Sequence, residues 1–264
     1  MLSRFLKCLW TLGLVVCPVL NLQVAAAMPV GIRHLAPAAP AQVTKVGLPD
    51  AVADRILGQA AFTTNAPGTS ATALWLPAGV AIAPSGAPDA GRLFVVEYGE
   101  FDPNINQDVG NHRVLSWPSS ASFVSGQAAD LVIGQPDFTS RDGGLGQDQF
   151  YGPEAAAVDP SGSLWVADTL NHRVLRFDPP FSNGMDASLV LGQTDFFHND
   201  ANRGGSVTAN TLYFPRGLAV DGTGALYVAD DYNNRVLRFD PPFSDGMDAS
   251  LVLGQEDFIH NDPN

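Results

Sequence analysis

Arg173-Val174-Leu175-Arg176-Phe177-Asp178-Pro179-Pro180-Phe181 returns, residue for residue, as Arg235-Val236-Leu237-Arg238-Phe239-Asp240-Pro241-Pro242-Phe243. The match runs from Arg173 to Asn202 and from Arg235 to Asn264, with 26 of 30 positions identical and differences only at 183, 194, 197 and 201 of the earlier copy. A repeat this exact has to be read before any single motif, because it sets the architecture into which every motif must fit. Working outward, a Leu-Gly-Gln or Ile-Gly-Gln phrase occurs four times, at Leu57-Gly58-Gln59, Ile133-Gly134-Gln135, Leu191-Gly192-Gln193 and Leu253-Gly254-Gln255, with Phe62, Phe138, Phe196 and Phe258 following. Between successive copies stand Asn111-His112-Arg113-Val114-Leu115, Asn171-His172-Arg173-Val174-Leu175 and Asn233-Asn234-Arg235-Val236-Leu237, their arginines 60 and then 62 residues apart.

Each unit holds four short runs rich in β-branched and aromatic residues, bounded by Gly, Pro, Asp and Asn clusters, which is a strand pattern. In the last unit the runs are Gly217 to Val220, Ala225 to Ala229, Arg235 to Phe239 and Ser250 to Leu253. Turn chemistry separates them, as in Asp221-Gly222-Thr223-Gly224. Four antiparallel strands at a fixed period predict an all-β propeller, whose small sheets hide their faces only against neighbouring blades. The expected organisation is a signal peptide over 1–27, a Pro/Ala-rich linker over 28–53 and propeller blades over 54–264, centred on 76–134, 153–192 and 215–254.

Phe214-Pro215-Arg216-Gly217-Leu218-Ala219-Val220-Asp221, Gly224-Ala225-Leu226-Tyr227-Val228-Ala229-Asp230 and Asn233-Asn234-Arg235-Val236-Leu237 together resemble the NHL repeat. The earlier units fit the same template, with Val166-Ala167-Asp168 and a diverged Val95-Val96-Glu97 before their Asn-His-Arg. The resemblance implies a six-bladed ring, of which three units are present, plus an outer strand at Arg55 to Leu57 with no inner strands before it. Three blades do not close a ring, so the chain reads as a truncated propeller in preference to a dimerising half. NHL propellers serve as interaction domains and also as enzymes, and the resemblance carries one enzymatic alternative, a metal-dependent lyase or a lactonase-like hydrolase acting on a small molecule in the channel.

At the other end of the chain, Arg4 and Lys7 precede an apolar run from Cys8 to Leu20, and Ala25-Ala26-Ala27 follows. That is the order of a secretory signal peptide cleaved after Ala27. The expected location is secreted or periplasmic, with no stable membrane insertion after cleavage. Both cysteines, Cys8 and Cys17, lie in the leader, so the exported chain has no thiol for a disulfide or a nucleophile. From Met28 onward 12 basic residues face 27 acidic ones, and Lys45 is the only lysine. Such a surface opposes polyanions and excludes nucleic acid as a partner.

Strand alternation places the second-to-third turn of each blade and the loop to the next blade on one face. That face is the expected binding surface for an extracellular protein, a glycan or a small ligand, carrying Asp168, Asn171, His172, Arg173, Asp230, Asn233, Arg235, His198 and His260. Repetition favours a structural role for its Asp, Asn and Arg: the aspartates cap the turn, the asparagines take its left-handed backbone, and the arginines reach a carboxylate or carbonyl in the neighbouring blade. His198 and His260, each in a His-Asn-Asp sequence, are weighed as zinc ligands and read as turn residues. The first unit alone has an insertion, Glu97 to Gly110, whose Asp102, Asn104, Asn106 and Asp108 offer oxygens at every second position. Calcium is the one candidate metal there, against a reading as a flexible acidic loop. No cofactor is required, and no Gly-x-Ser-x-Gly, phosphate-loop, dinucleotide or His-Glu-x-x-His motif supplies a catalytic centre.

Overall fold

A computed structural model describes residues 53–263. The expected signal peptide and all but the last residue of the expected linker lie outside the described residues. Among these residues twelve strands form three separate four-stranded sheets, each antiparallel and each in sequence order. The first holds β1 (Pro77–Ile82), β2 (Leu93–Asp102), β3 (Gln107–Trp117) and β4 (Leu131–Ile133). The second holds β5 (Pro153–Val158), β6 (Leu164–Asp168), β7 (Arg173–Phe177) and β8 (Leu189–Leu191). The third holds β9 (Pro215–Val220), β10 (Leu226–Asp230), β11 (Arg235–Phe239) and β12 (Leu251–Leu253). Among the described residues there is no α-helix, and no helix is long and apolar enough to cross a membrane. The first strands β1, β5 and β9 lie side by side, as the inner strands of neighbouring blades do.

Alternation along each strand gives every blade two apolar faces, so the core lies between blades. Phe94, Val96, Val114, Leu131 and Ile133 of the first blade pack with Phe150, Leu164, Val166, Leu175 and Phe177 of the second. One step on, Trp165, Val174, Leu189 and Leu191 of the second blade pack with Leu212, Leu226, Val228, Leu237 and Phe239 of the third. Corresponding rings meet in both layers, Phe94 on Phe181 at 5.5 Å and Trp165 on Phe243 at 4.7 Å between centroids.

The repeated phrases each have a structural task. Glycine in Leu-Gly-Gln is left-handed every time, with φ of +76° at Gly58, +86° at Gly134, +87° at Gly192 and +91° at Gly254. A side chain at Gly134 or Gly192 would also collide with Phe150 or Leu212 of the following blade, so two constraints demand glycine. The glutamine amide then clamps two loops of the binding face: Gln135 donates to the carbonyls of His112 and Asp142, Gln193 to those of His172 and Asp200, Gln255 to those of Asn234 and Asp262.

A backbone hook joins each blade to the outer strand before it. Val132 in β4 donates its N–H to Asn183 Oδ1 at 3.0 Å and accepts from the Gly184 N–H, also at 3.0 Å. Val190 in β8 does the same with Asp245 Oδ1 and Gly246, both at 2.9 Å. Ile56 makes these two bonds with Ser125 Oγ and Gly126, at 3.3 and 3.0 Å. Arg55 to Leu57 therefore occupies the place of an outer strand on the first blade. It is not itself a strand, correcting that expectation, because among the described residues no inner strand lies beside it to form a ladder.

Candidate functional site

Beneath the loop face lies one buried cluster per blade. Arg173 Nε contacts Asp168 Oδ2 at 2.7 Å, Asn171 donates to the same oxygen at 2.9 Å, and the other oxygen accepts the Tyr151 N–H. Arg235, Asp230, Asn233 and the Tyr213 N–H repeat the arrangement, and Arg113, Glu97, Asn111 and the Trp75 N–H form its first-blade version. The guanidinium also spans two inter-blade loops: Arg173 donates to the carbonyls of Gly146 and Gln149 before its blade and of Phe196 after it. Burial pushes the carboxyls of Glu97, Asp168 and Asp230 upward, while the arginine, the asparagine amide and the backbone N–H pull them back toward the ionised form.

These positions correct part of the sequence reading. Asp168, Asn171, Arg173, Asp230, Asn233 and Arg235 are at most 4 % exposed, so none of the six presents its side chain on the binding face. The aspartates do not cap the one-turn 3-10 helices Thr169–Asn171 and Asp231–Asn233 through their side chains. Their carboxylates turn inward to the arginine, a stronger charge-assisted partner than a turn N–H. The left-handed residue of the turn is the next one along, His172 at φ 53° and Asn234 at φ 51°, because the asparagine before it is held by the carboxylate. The arginines pair with a carboxylate of their own blade, and reach the neighbouring loops through carbonyls alone.

His172 is a linker between blades. Its Nδ1 accepts the Phe214 N–H at 3.2 Å, and His112, which the sequence reading passed over, accepts the Gly152 N–H at 3.1 Å. Burial lowers the pKa of His112 to about 4 and that of His172 below its usual range, so both rings are neutral acceptors at neutral pH.

Neither candidate metal arrangement assembles as expected. Glu97 to Gly110 is a paired hairpin that prolongs β2 and β3, and no flexible loop. Asp102 lies opposite Gln107 and Phe101 opposite Asp108, which sends Asp102 and Asp108 to opposite faces of the ribbon. Asp102 is spent on the N–H and amide of Asn104, and Asp108 accepts from the Gly143 N–H, so the four residues do not converge as calcium ligands. His198 and His260 each bond an aspartate three residues earlier, Asp195 at 2.7 Å and Asp257 at 2.6 Å, as turn residues do. Only in the third blade does a further carboxylate come near, Glu256 at 3.3 Å from His260 Nε2. Asp257 already accepts the N–H groups of Ile259 and His260, so this trio is explained by its turn.

Unrepeated chemistry gathers instead where the inner strands begin. The residue after the proline that opens each inner strand is Ala78 in the first blade, Glu154 in the second and Arg216 in the third. Arg216 lies 3.5 Å from Glu154 and 3.3 Å from Asp231, with its guanidinium over the Tyr232 ring at 5.8 Å. Tyr98, on the first-blade hairpin, donates to Glu100 at 3.0 Å. Burial first, then the hydrogen bond to Glu100 and the Glu100 and Glu154 charges, hold its phenol well above the usual range. Tyr232 continues into an aromatic bed, 5.1 Å from Tyr213 and 4.7 Å from Phe214. Three blades thus contribute a cation, several carboxylates, the half-buried Tyr98 ring and the exposed Tyr232 ring to one place. Sequence reasoning missed Tyr98, Glu154, Arg216, Asp231 and Tyr232. The available signal was the change of residue type at blade-equivalent positions, Ala78, Glu154 and Arg216, within an otherwise repeated frame.

The NHL repeat family matches residues 150–177 and 212–239. The rat peptidylglycine alpha-amidating monooxygenase is 33% identical over 98 residues, 36% of this chain and 9% of that protein. The Drosophila melanogaster peptidyl-alpha-hydroxyglycine alpha-amidating lyase 2 is 34% identical over 97 residues, 36% of this chain and 21% of that protein. The matched part is therefore about a tenth to a fifth of the length of these relatives. Among solved structures, streptogramin B lyase has a TM-score of 0.34 at 11% identity, over 65% of this chain and 41% of that one. Two NHL repeats are thus matched directly, in the second and third blades, and the first blade is built on the same four-stranded plan.

Proposed function

We propose that this is an exported NHL propeller chain that binds a small zwitterionic ligand, such as a peptide with free termini, at the axial mouth. The observation that carries this reading is the Glu154–Arg216 pair, which varies by blade on a frame that otherwise repeats. Scaffolding explains what recurs in every blade; a residue that differs in each, and is exposed on the axis, answers to a ligand. Arg216 suits a carboxylate, Glu100, Glu154 and Asp231 suit an ammonium group, and the Tyr98 and Tyr232 rings supply apolar contact with polar tips. The net acidic charge favours ligands with a cationic group and opposes nucleic acid. Export rests on the leader over 1–27.

Calorimetric titration with the tripeptide Gly-Phe-Gly tests the reading. The free peptide binds, its N-acetylated and C-amidated form binds at least about tenfold more weakly, and Arg216→Ala loses a similar factor. Equal affinity for the free and blocked peptides contradicts it.

A second reading, a lyase acting at the same mouth, is favoured by the likeness to amidating lyases. Its metal lacks a fit here: among the described residues, no histidines and carboxylates converge at the axis, and the single group of three ligand types is Glu256, Asp257 and His260. Incubation with a peptidyl-α-hydroxyglycine decides between the two. Turnover that Arg216→Ala abolishes supports the lyase, and binding without turnover supports the binding reading.

A further inference from the structure

The turns from first to second strand emerge opposite the loop face, and the first blade's is the odd one. It runs over residues 83–92, where the second blade uses 159–163 and the third 221–225. The extra length carries Pro88 across the junction between the first two blades. Pro88 packs on Gly162, where a Cβ would stand 3.0 Å from the Pro88 Cδ, and Gly162 is buried. Asp89, the next residue, turns back to Arg92 at 3.8 Å. The Arg92 guanidinium also holds Asp130 at 2.9 Å and the Ser116 hydroxyl at 3.1 Å.

One junction on, between the second and third blades, the same place is a cleft of about 410 Å³. Residues 159–161 and Arg176 line it from the second blade, and residues 222–224 and 241–243 from the third. Gly224 is the counterpart of Gly162, with φ +86° against +89°. It is only half-buried, and among the described residues nothing but its chain neighbours stands within 4 Å of where its Cβ would be. The shorter second-blade turn does not reach it. The cation of the first junction is present again. Arg176 bonds the Ser163 hydroxyl at 3.0 Å and pairs with Asp178 at 2.9 Å, so guanidinium, serine and aspartate meet as they do at Arg92, drawn from other strands. Among the described residues no second carboxylate pairs with Arg176, where Arg92 has Asp89. Its side chain is 23 % exposed against 15 % for Arg92.

From this likeness to the filled junction we propose that the cleft between the second and third blades docks a turn of a partner protein in which a proline precedes an acidic residue. The prolyl ring seats on Gly224 as Pro88 seats on Gly162, where the absence of a Cβ allows the close approach. The acid pairs with Arg176 as Asp89 pairs with Arg92, a charge-assisted contact. Proline suits the place because its φ is fixed before binding, so little conformational freedom is lost on docking. The cleft shares no residue with the Glu154–Arg216 site and opens on the other face, so each can be occupied alone.

Calorimetric and two-dimensional NMR titration with acetyl-Ser-Gly-Ala-Pro-Asp-Ala-amide, which copies residues 85–90, tests this. Its blocked ends keep it apart from the site proposed for free peptides. The peptide binds and shifts the signals of Ser161, Gly222, Gly224 and Phe243, while Tyr98, Glu154 and Arg216 stay still. Alanine in place of its proline weakens binding at least about fivefold, through the lost apolar contact. Asparagine in place of its aspartate weakens binding about threefold, as a partly exposed ion pair does. In Arg176→Gln, with urea denaturation as the check on folding, the aspartate and asparagine peptides bind alike. If that variant does not fold, the peptide series decides alone. No binding at millimolar peptide, equal affinity for the alanine peptide, shifts confined to other residues, or a preference for aspartate that survives Arg176→Gln each overturns the inference.

Discussion

Asp168 and Glu154 belong to one blade and both stand beside an arginine, yet they live in opposite conditions. Asp168 is fully buried, pairs with Arg173 at 2.7 Å, and has counterparts in Glu97 and Asp230. Glu154 is a quarter exposed, lies 3.5 Å from an Arg216 that is nearly half exposed, and has no counterpart in the other blades. An ion pair sealed from water punishes the loss of either member, while an open pair costs little to lose and stays free to change partners. The difference separates the frame from the site.

The largest expected effect comes from breaking the frame. Arg173→Ala strands a buried carboxylate and frees three backbone carbonyls, costing about 3–5 kcal/mol. Urea denaturation measures it, and a loss below about 1 kcal/mol would show that the cluster is dispensable.

Acid gives an intermediate effect on the same frame. Native His112 stays neutral down to about pH 4 because burial disfavours its charged form, whereas the unfolded chain protonates it near its ordinary value of 6.5. Between those values the unfolded state binds more protons. The contribution of His112 is complete above about pH 6.5 and is lost as pH falls toward 4, by up to about 3 kcal/mol. His172 acts in the same direction. His112→Asn, which installs the residue type that the third blade carries as Asn234, reduces the slope of stability against pH over this window. An unchanged slope would mean that the histidine link between blades does not titrate with folding.

The smallest stability effect belongs to the site. Arg216→Ala and Glu154→Gln each change the unfolding free energy by about 0.5 kcal/mol or less, as exposed pairs do. A loss of several kcal/mol in either would move the pair from site to frame.

The frame was legible because its causes are local and recur. The Leu-Gly-Gln and Asn-His-Arg phrases mark the repeat and its strands, while the left-handed glycine and the buried cluster that they carry emerge only in the structure. The four strand runs of each blade followed from residue type and turn residues, and their register only from the structure. Side-chain direction was harder to read. Asp168 was expected at a turn N–H and goes inward, because a buried arginine attracts it more than a dipole does. The 97–110 insertion suggested ligands by its spacing of oxygens, yet pairing as a hairpin put alternate residues on opposite faces. The site was hidden for a different reason. Tyr98, Glu154 and Arg216 come from three blades, and only the side-by-side packing of the blades brings their distant sequence positions together.

The most direct test of the separation between frame and site is a two-dimensional NMR titration of the chain with Gly-Phe-Gly. The account predicts shifts concentrated at Tyr98 to Glu100, Glu154, Arg216, Asp231 and Tyr232, with the signals of Asp168, Arg173, Asp230 and Arg235 nearly still. Perturbation centred on the His198 or His260 turns, with the axial mouth unmoved, would contradict it.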